Sequence, residues 1–391
     1  MLRAIASSMF RKGLTAAAAL LALTAIPARA DAPLPGVFVP AGELAQADDL
    51  ITATALPDGG VLACDSTTCQ RFSPSAGTWS NPLVMQDQHF EHTATALPDG
   101  RVLIAGTAWN TTGHPSAELF DPVTDRFSTT EAMVAPRFGA AAVRLQSGEV
   151  LIAGGRDTLH GSVPMASAEI YSPTSGTFRS TGSMASTREG FTATLLSDGR
   201  VLVTGGVSAT GGFLASAEIY SPTTGTFATV AGGMTQPRYE HAAVLLADGR
   251  VLIAGGWSYY YSSTRPVASA EIFDPSTNTF STLSASMTDS REGLAMTLLP
   301  SGLVLAAAGF DAHNEVLNNA DVFDPASGSF TRLPSTLQVA AESPATALLA
   351  DGRVLVAGGA SGSGGFVASA SLFVPDRVFA EGFEAAVGSS P

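Results

Sequence analysis

LADGRVLIAGG (246–256) encodes a hairpin in eleven residues. An Asp-Gly pair reverses the chain, an apolar run follows as a strand, and a Gly-Gly doublet ends it. The same wording returns as LPDGRVLIAG (97–106), LQSGEVLIAGG (145–155), LSDGRVLVTGG (196–206), LPSGLVLAAAG (299–309) and LADGRVLVAGG (349–359), with LPDGGVLAC (56–64) as a degenerate first copy. The turn glycines, from Gly59 through Gly100, Gly148, Gly199, Gly249 and Gly302 to Gly352, are separated by 41, 48, 51, 50, 53 and 50 residues. Seven copies at so regular a period predict an array in which no unit buries its faces alone.

Working outward from the hairpin, each copy holds four short strands. An alternating Thr/Ala/Leu segment such as Thr192 to Leu196 precedes the turn, and the apolar run follows it. A third segment reads Ala-Glu-Ile-Tyr or Ala-Glu-Leu-Phe and stops at a proline (Pro122, Pro173, Pro222, Pro275, Pro325), which cannot continue a ladder. Five residues past the proline an aromatic marks the fourth strand: Trp79, Phe127, Phe178, Phe227, Phe280 and Phe330. The predicted fold is all-β, a seven-bladed β-propeller of four-stranded antiparallel blades. The seventh copy lacks its fourth strand, and Gly36-Val37-Phe38 lies the expected twenty residues before Asp58. Strand 36–40 is therefore expected to complete the last blade and close the ring, with Arg377 to Ala380 as the competing closure.

The predicted organisation is a signal segment over 1–30, the propeller over 31–375 and a tail over 376–391. Arg3, Arg11 and Lys12 precede the apolar run Leu14 to Ile26, and Ala28-Arg29-Ala30 provides a small-x-small cleavage site, so export from the cytoplasm to the periplasm or beyond is expected. That run is too short to span a bilayer, and no later segment is long and apolar enough. The chain has 34 acids against 20 bases. Four of those bases lie in the signal segment, so the acidic excess of the remainder is larger still, which argues against nucleic-acid binding. Cys64 and Cys69 are the two cysteines, and in an exported chain they read as one disulfide closing a short loop.

The Gly-Gly doublet, the Glu-apolar-aromatic-x-Pro segment and the aromatic fourth strand resemble the kelch family, and these marks run from 36 to 375. The DGRVL-x-x-GG wording is closest to the propellers of galactose oxidase and glyoxal oxidase. That resemblance implies a fold more than a function, because function belongs to sites grafted on the fold. In similar copper-radical enzymes a Tyr-His pair precedes the DGRVL segment and ligates copper. The matching pairs here are Glu91-His92 and Glu240-His241, and a carboxylate cannot form the tyrosyl radical. No cofactor and no metal are therefore expected. The alternatives for these four residues are acid and base work in the channel, a hard-metal site built from His92, His241 and the adjacent glutamates, or histidines that merely pack at strand starts.

Propeller topology puts the Asp-Gly turns on one face and the variable loops on the other. All six histidines, His89, His92, His114, His160, His241 and His313, fall in or beside the variable-face segments, as do Trp109 and Trp257 with Tyr259, Tyr260 and Tyr261. These aromatics are the predicted ligand contacts, since they suit sugar rings or a protein hot spot. Arg137, Arg188, Arg238 and Arg291 precede their turns at a constant spacing. Sialic acid mutarotases, which are exported kelch propellers, suggest that these arginines line an anion site. Blades carrying this arginine also carry an acid in the third strand, Glu169, Glu218, Glu271 or Asp321, whereas the first and last blades lack both and the second has His89 with Glu118. Joint gain and loss reads as structural ion pairs. The functional expectation is a binding module for carbohydrate or protein. Its rivals are a carbohydrate-directed enzyme, mutarotase- or lyase-like, and a structural envelope protein.

Overall fold

The computed structural model describes residues 36–47, 51–108, 115–157, 161–260, 263–362 and 364–375. The signal segment, the tail, Trp109, His114, His160 and Tyr261 lie outside them. The predicted hairpins form in register: in the fifth blade Ala242–Leu245 runs antiparallel to Val251–Ala254, which pairs with Ala270–Asp274, which pairs with Thr279–Thr282. Seven such sheets make a seven-bladed β-propeller. The second strand of each blade has both faces covered, so Val150–Ala153, Val251–Ala254 and their equivalents are buried at every position. That is why these strands read as unbroken apolar runs where a half-exposed strand would alternate. The first strands are half-buried and built from Ala, Thr and Leu, small enough for seven strands to crowd around one axis.

Blades bury one another. Leu252, Ile272 and Met287 of the fifth share a cluster with Val304, Ala306 and Phe323 of the sixth. Leu151 and Ile170 of the third pack with Val201, Val203 and Tyr220 of the fourth. Within each blade an aromatic on the third strand meets one on the fourth: Tyr171 and Phe178 stand opposite each other in register, their ring centroids 4.8 Å apart in a tilted pair. Six further pairs repeat this contact, which explains why the aromatic keeps a constant distance from the proline.

The ring closes through its N-terminal strand. Gly36–Glu43 pairs antiparallel with Ser369–Pro375, placing Phe38 opposite Phe373 with centroids 5.3 Å apart. Gly36 sits at φ 144°, where a Cβ would lie 2.5 Å from the Phe373 ring, so a side chain there would block the closure. The first blade is shortened on its variable face. Cys64 and Cys69 face each other across the second and third strands, are disulfide-bonded and are fully buried. The Asp65 carboxylate accepts from the Thr67 and Thr68 amides at 2.6 Å each, fixing a tight turn where the later blades carry loops.

The four repeated arginines are fully buried and do not line the channel. Arg188 reaches Glu218 at 3.0 Å and donates to the carbonyls of Gly205 and Ser216 at 2.7 and 3.0 Å. Arg137–Glu169 at 2.6 Å, Arg238–Glu271 at 3.2 Å and Arg291–Asp321 at 3.6 Å repeat the arrangement. In the second blade His89 Nε2 meets Glu118 Oε1 at 3.0 Å. Burial pushes the Glu118 carboxyl up, but hydrogen bonds from His89 and the Gln86 and Asp87 amides outweigh it and hold it below its ordinary value. Each pair ties the chain entering a blade to that blade's Gly-Gly doublet and third strand. In Arg188→Ala the Glu218 charge stays buried without its partner, and a loss of about 3–5 kcal/mol is expected in urea unfolding. Arg188→Met with Glu218→Leu should recover most of it. Equal losses in the single and double variants would show that the ion pair is not what the site requires.

Candidate functional site

Where the chain passes from one blade to the next it turns beside the axis. The residues at that turn are Glu91, Gly139, Gly190, Glu240, Gly293 and Ser343, with φ values of 45°, 59°, 58°, 53°, 55° and 51°. Backbone hydrogen bonds link neighbours around the axis: Gly139 N to Glu91 O at 3.1 Å, Glu240 N to Gly190 O at 2.9 Å, Gly293 N to Glu240 O at 3.1 Å and Ser343 N to Gly293 O at 2.7 Å. The left-handed conformation is thus imposed by the ring. Glycine meets it without strain, while Glu91 and Glu240 adopt it at about 1–2 kcal/mol each. A glutamate kept at such a position is a signal that its side chain is used.

The residue just before this turn also points to the mouth. It is Phe138, Glu189, Tyr239, Glu292 or Glu342 in successive blades, and each bridges to the residue after the Gly-Gly doublet, here Arg156, Val207, Trp257, Phe310 or Ala360. Among the described residues the two columns together make an arc of five carboxyl groups. Arg156 lies 3.0 Å from Glu189 and 3.4 Å from Glu91. Glu240 lies beside Tyr239 on one side and Glu292 on the other, and Glu342 and the Trp257 indole also border Glu292.

Among the described residues Glu292 is the best-buried acid of the arc, 3% exposed, and its Oε2 has no hydrogen-bond partner. Burial first, and then Glu240 and Glu342, push its carboxyl up to about 9. It therefore holds a proton at neutral pH. Burial likewise raises Glu189, against the pull of Arg156 and with the help of Glu91 and Glu240. Glu342 is raised by burial and by Glu240. Tyr239 is raised by burial and by its bond to Glu240, so the phenol stays protonated and donates.

An aromatic wall rises from this arc to the rim. Tyr239 lies over Gly190, where a Cβ would come within 2.2 Å of its ring. Phe213 stacks on Tyr239 at 5.6 Å and 11°, and Tyr259 stacks on Phe213 at 5.0 Å and 28°. The Tyr259 hydroxyl accepts from the Phe213 amide at 2.9 Å, and its ring is about half exposed.

Among the residues singled out from the sequence, Glu91, Glu240, Trp257 and Tyr259 meet at this mouth. Trp257–Tyr260 forms a strand against Ser263–Pro266. His92 and His241 turn away from the arc. His92 Nε2 lies 2.9 Å from the Thr52 hydroxyl and its Nδ1 2.9 Å from the His89 carbonyl. His241 Nε2 lies 3.1 and 3.0 Å from the Thr192 and Thr204 hydroxyls, and burial, with Arg238 and Arg188 nearby, lowers its pKa to about 3. Both rings pack between strand starts. Sequence reading passed over Glu189, Tyr239, Glu292, Glu342, Arg156 and Phe213. All but Phe213 fall in two columns at fixed offsets from the repeat, and aligning the repeats on their turn glycines would have exposed an acid-rich column. A groove of about 570 Å³ lies on the opposite face, lined by Asp58, Arg71, Trp79, Asp351 and Arg353. Its arginines are matched, Arg71 to Asp58 and Asp125 and Arg353 to Asp351, so neither is left for an anionic ligand.

A Kelch motif is matched over residues 238–286, the segment that carries Tyr239, Glu240 and Trp257. The chain is a seven-bladed propeller that carries a Kelch motif. Among solved structures it is similar to a fungal alcohol oxidase with catalytic diversity among the AA5 family, in complex with copper, at a TM-score of 0.70 and 15% identity over 87% of this chain and 76% of that one. No curated protein matches it. The copper-radical set does not fit this propeller. Its two candidate histidine rings are committed to threonine hydroxyls, glutamates stand where the ligand tyrosine is expected, and both sulfurs are bonded to each other. Among the described residues no three His, Cys, Asp or Glu side chains converge as a metal site.

The raised carboxyl of Glu292 predicts a stability effect. Between the ordinary glutamate value and about 9 the folded state holds a proton that the unfolded state has released, so stability falls as pH rises through that window. Glu292→Gln carries no such proton. Its melting temperature should exceed that of the parent by about 2 °C or more at pH 8.5, with the gap closing toward pH 4.5. A gap that does not change with pH would remove Glu292 as the proton holder.

Proposed function

We propose that the protein is an exported carbohydrate-binding propeller whose ligand seats at the channel mouth. The observation that carries this reading is the stack Tyr259–Phe213–Tyr239, which ends on Glu240. Stacked rings offer flat apolar area to the C–H face of a sugar at low entropic cost. Carboxylates and the Trp257 indole beside them supply the directional acceptors and donor that fix hydroxyl groups. The disulfide-bonded cysteines are in keeping with an oxidising compartment outside the cytoplasm. No helix among the described residues is long and apolar enough to cross a membrane.

A second reading, a carbohydrate-directed acid–base enzyme, is favoured by one observation: Glu292 holds its proton against Glu240, so a donor and an acceptor share one site. Proton abstraction and return at a sugar carbon or oxygen, as a mutarotase or lyase requires, needs such a pair within reach of the substrate.

The test is a glycan-array screen of the chain beginning at residue 31, with Trp257→Ala/Tyr259→Ala beside it. Retained glycans should lose at least tenfold in affinity in a variant that keeps its melting temperature within a few degrees. Silence from both proteins would sink the carbohydrate reading in favour of a protein partner or a structural role. For the enzyme reading, any turnover of a bound sugar should fall about 10²–10⁴-fold in Glu292→Gln while binding persists.

A further inference from the structure

The arc at the mouth is unbalanced in charge. Glu91, Glu189, Glu240, Glu292 and Glu342 come from five blade junctions, and Arg156 is the guanidinium placed among them. Arg156 serves the Glu91–Glu189 end. Among the described residues no cation pairs with Glu240, Glu292 or Glu342, which lie beside one another with Tyr239 and Trp257 at their border. Independently of that cluster, Glu292 Oε2 is buried and lacks a conventional donor, and it lies in the midst of these groups. A buried oxygen left so is costly unless something supplies it with hydrogen. Among the described residues no three of these side chains come together closely enough to hold a metal ion. An ammonium group differs: its three N–H bonds diverge, reach acceptors at hydrogen-bond length and tolerate an aromatic face on the remaining side. Tyr239 and Trp257 supply that face.

We infer that the channel mouth takes an amino sugar, its ammonium held among Glu240, Glu292 and Glu342 and its ring against the Tyr239–Phe213–Tyr259 wall. This rests on the carbohydrate-binding reading and narrows it to cationic sugars. The ligand's charge replaces the proton that now keeps Glu292 neutral, so binding at neutral pH releases a proton to solvent. Binding should weaken at acid pH, where Glu342, its carboxyl raised by burial and by Glu240, gains a proton, and above the pKa of the ligand amine. The charged and titratable groups that face the ammonium are Glu189, Glu240, Glu292, Glu342, Glu91, Arg156 and Tyr239.

The experiment is titration calorimetry of the chain from residue 31 with a glucosamine tetramer, its N-acetylated counterpart and a neutral glucose tetramer, in two buffers of different ionisation enthalpy. The charged tetramer should bind at least tenfold more tightly than the other two, with an enthalpy that depends on buffer. Glu292→Gln should abolish the buffer dependence, and Glu342→Gln should weaken the charged tetramer alone. Equal binding of all three tetramers would overturn the ammonium assignment and leave the carbohydrate reading standing. Binding of none would overturn both. Charged-tetramer binding unaffected by either substitution would mark diffuse attraction to an acidic surface and overturn the site. Calcium binding that displaces the tetramer and is lost in Glu292→Gln would overturn it in favour of a metal.

Discussion

Each blade of this protein has two apolar faces and covers neither by itself, so everything else in the structure depends on closing the ring. An open arc would leave one face of its first blade and one of its last against water, along with the unpaired edge of Ser369–Pro375. The N-terminal strand removes that edge by pairing Phe38 with Phe373, joining the two ends of the described chain in one sheet. A loop closed over more than three hundred residues has a large entropic cost, but its dependence on length is only logarithmic, and one four-stranded sheet is enough to offset it.

Closure also creates the candidate site. Segments that turn beside one axis are forced close together, and at six turns among the described residues the crowding selects a left-handed conformation. Glycine fills three of those positions and glutamate two, so the ring carries side chains into the channel at the strained points. The neighbouring column adds Glu189, Glu292 and Glu342, and mutual repulsion in a partly dry setting keeps a proton on Glu292. The buried arginine pairs do the opposite work. They are internally neutral, hydrogen-bonded to backbone carbonyls and withdrawn from the channel, so the same charged residue types serve as fasteners in one layer and as a potential ligand surface in the next.

The relationship to the copper alcohol oxidase is one of architecture. A propeller mouth gathers single residues from several blades, and replacing a tyrosine by a glutamate at such a point changes the chemistry without touching any strand. Glu240 and His241 illustrate this: adjacent in sequence, they part at the turn, the carboxylate toward the axis and the imidazole into the interface with Thr192 and Thr204.

By itself the sequence determined the blade count, the strand order, the closing strand and the arginine–acid partners, because each follows from a local pattern repeated at a fixed period, while the lone cysteine pair indicated the disulfide. Apolar runs report double-sided burial, and joint loss of Arg and acid reports contact. It also contained Glu91, Glu240, Trp257 and Tyr259 as candidates. What only the tertiary structure decided is which side chains share the mouth. Glu91, Glu189, Glu240, Glu292 and Glu342 are spaced across some 250 residues and occupy two offset columns, and nothing local marks them as neighbours. Their meeting, the stacking of Phe213 between Tyr239 and Tyr259, and the withdrawal of His92 and His241 are consequences of radial closure, which converts distance along the chain into an angle around an axis.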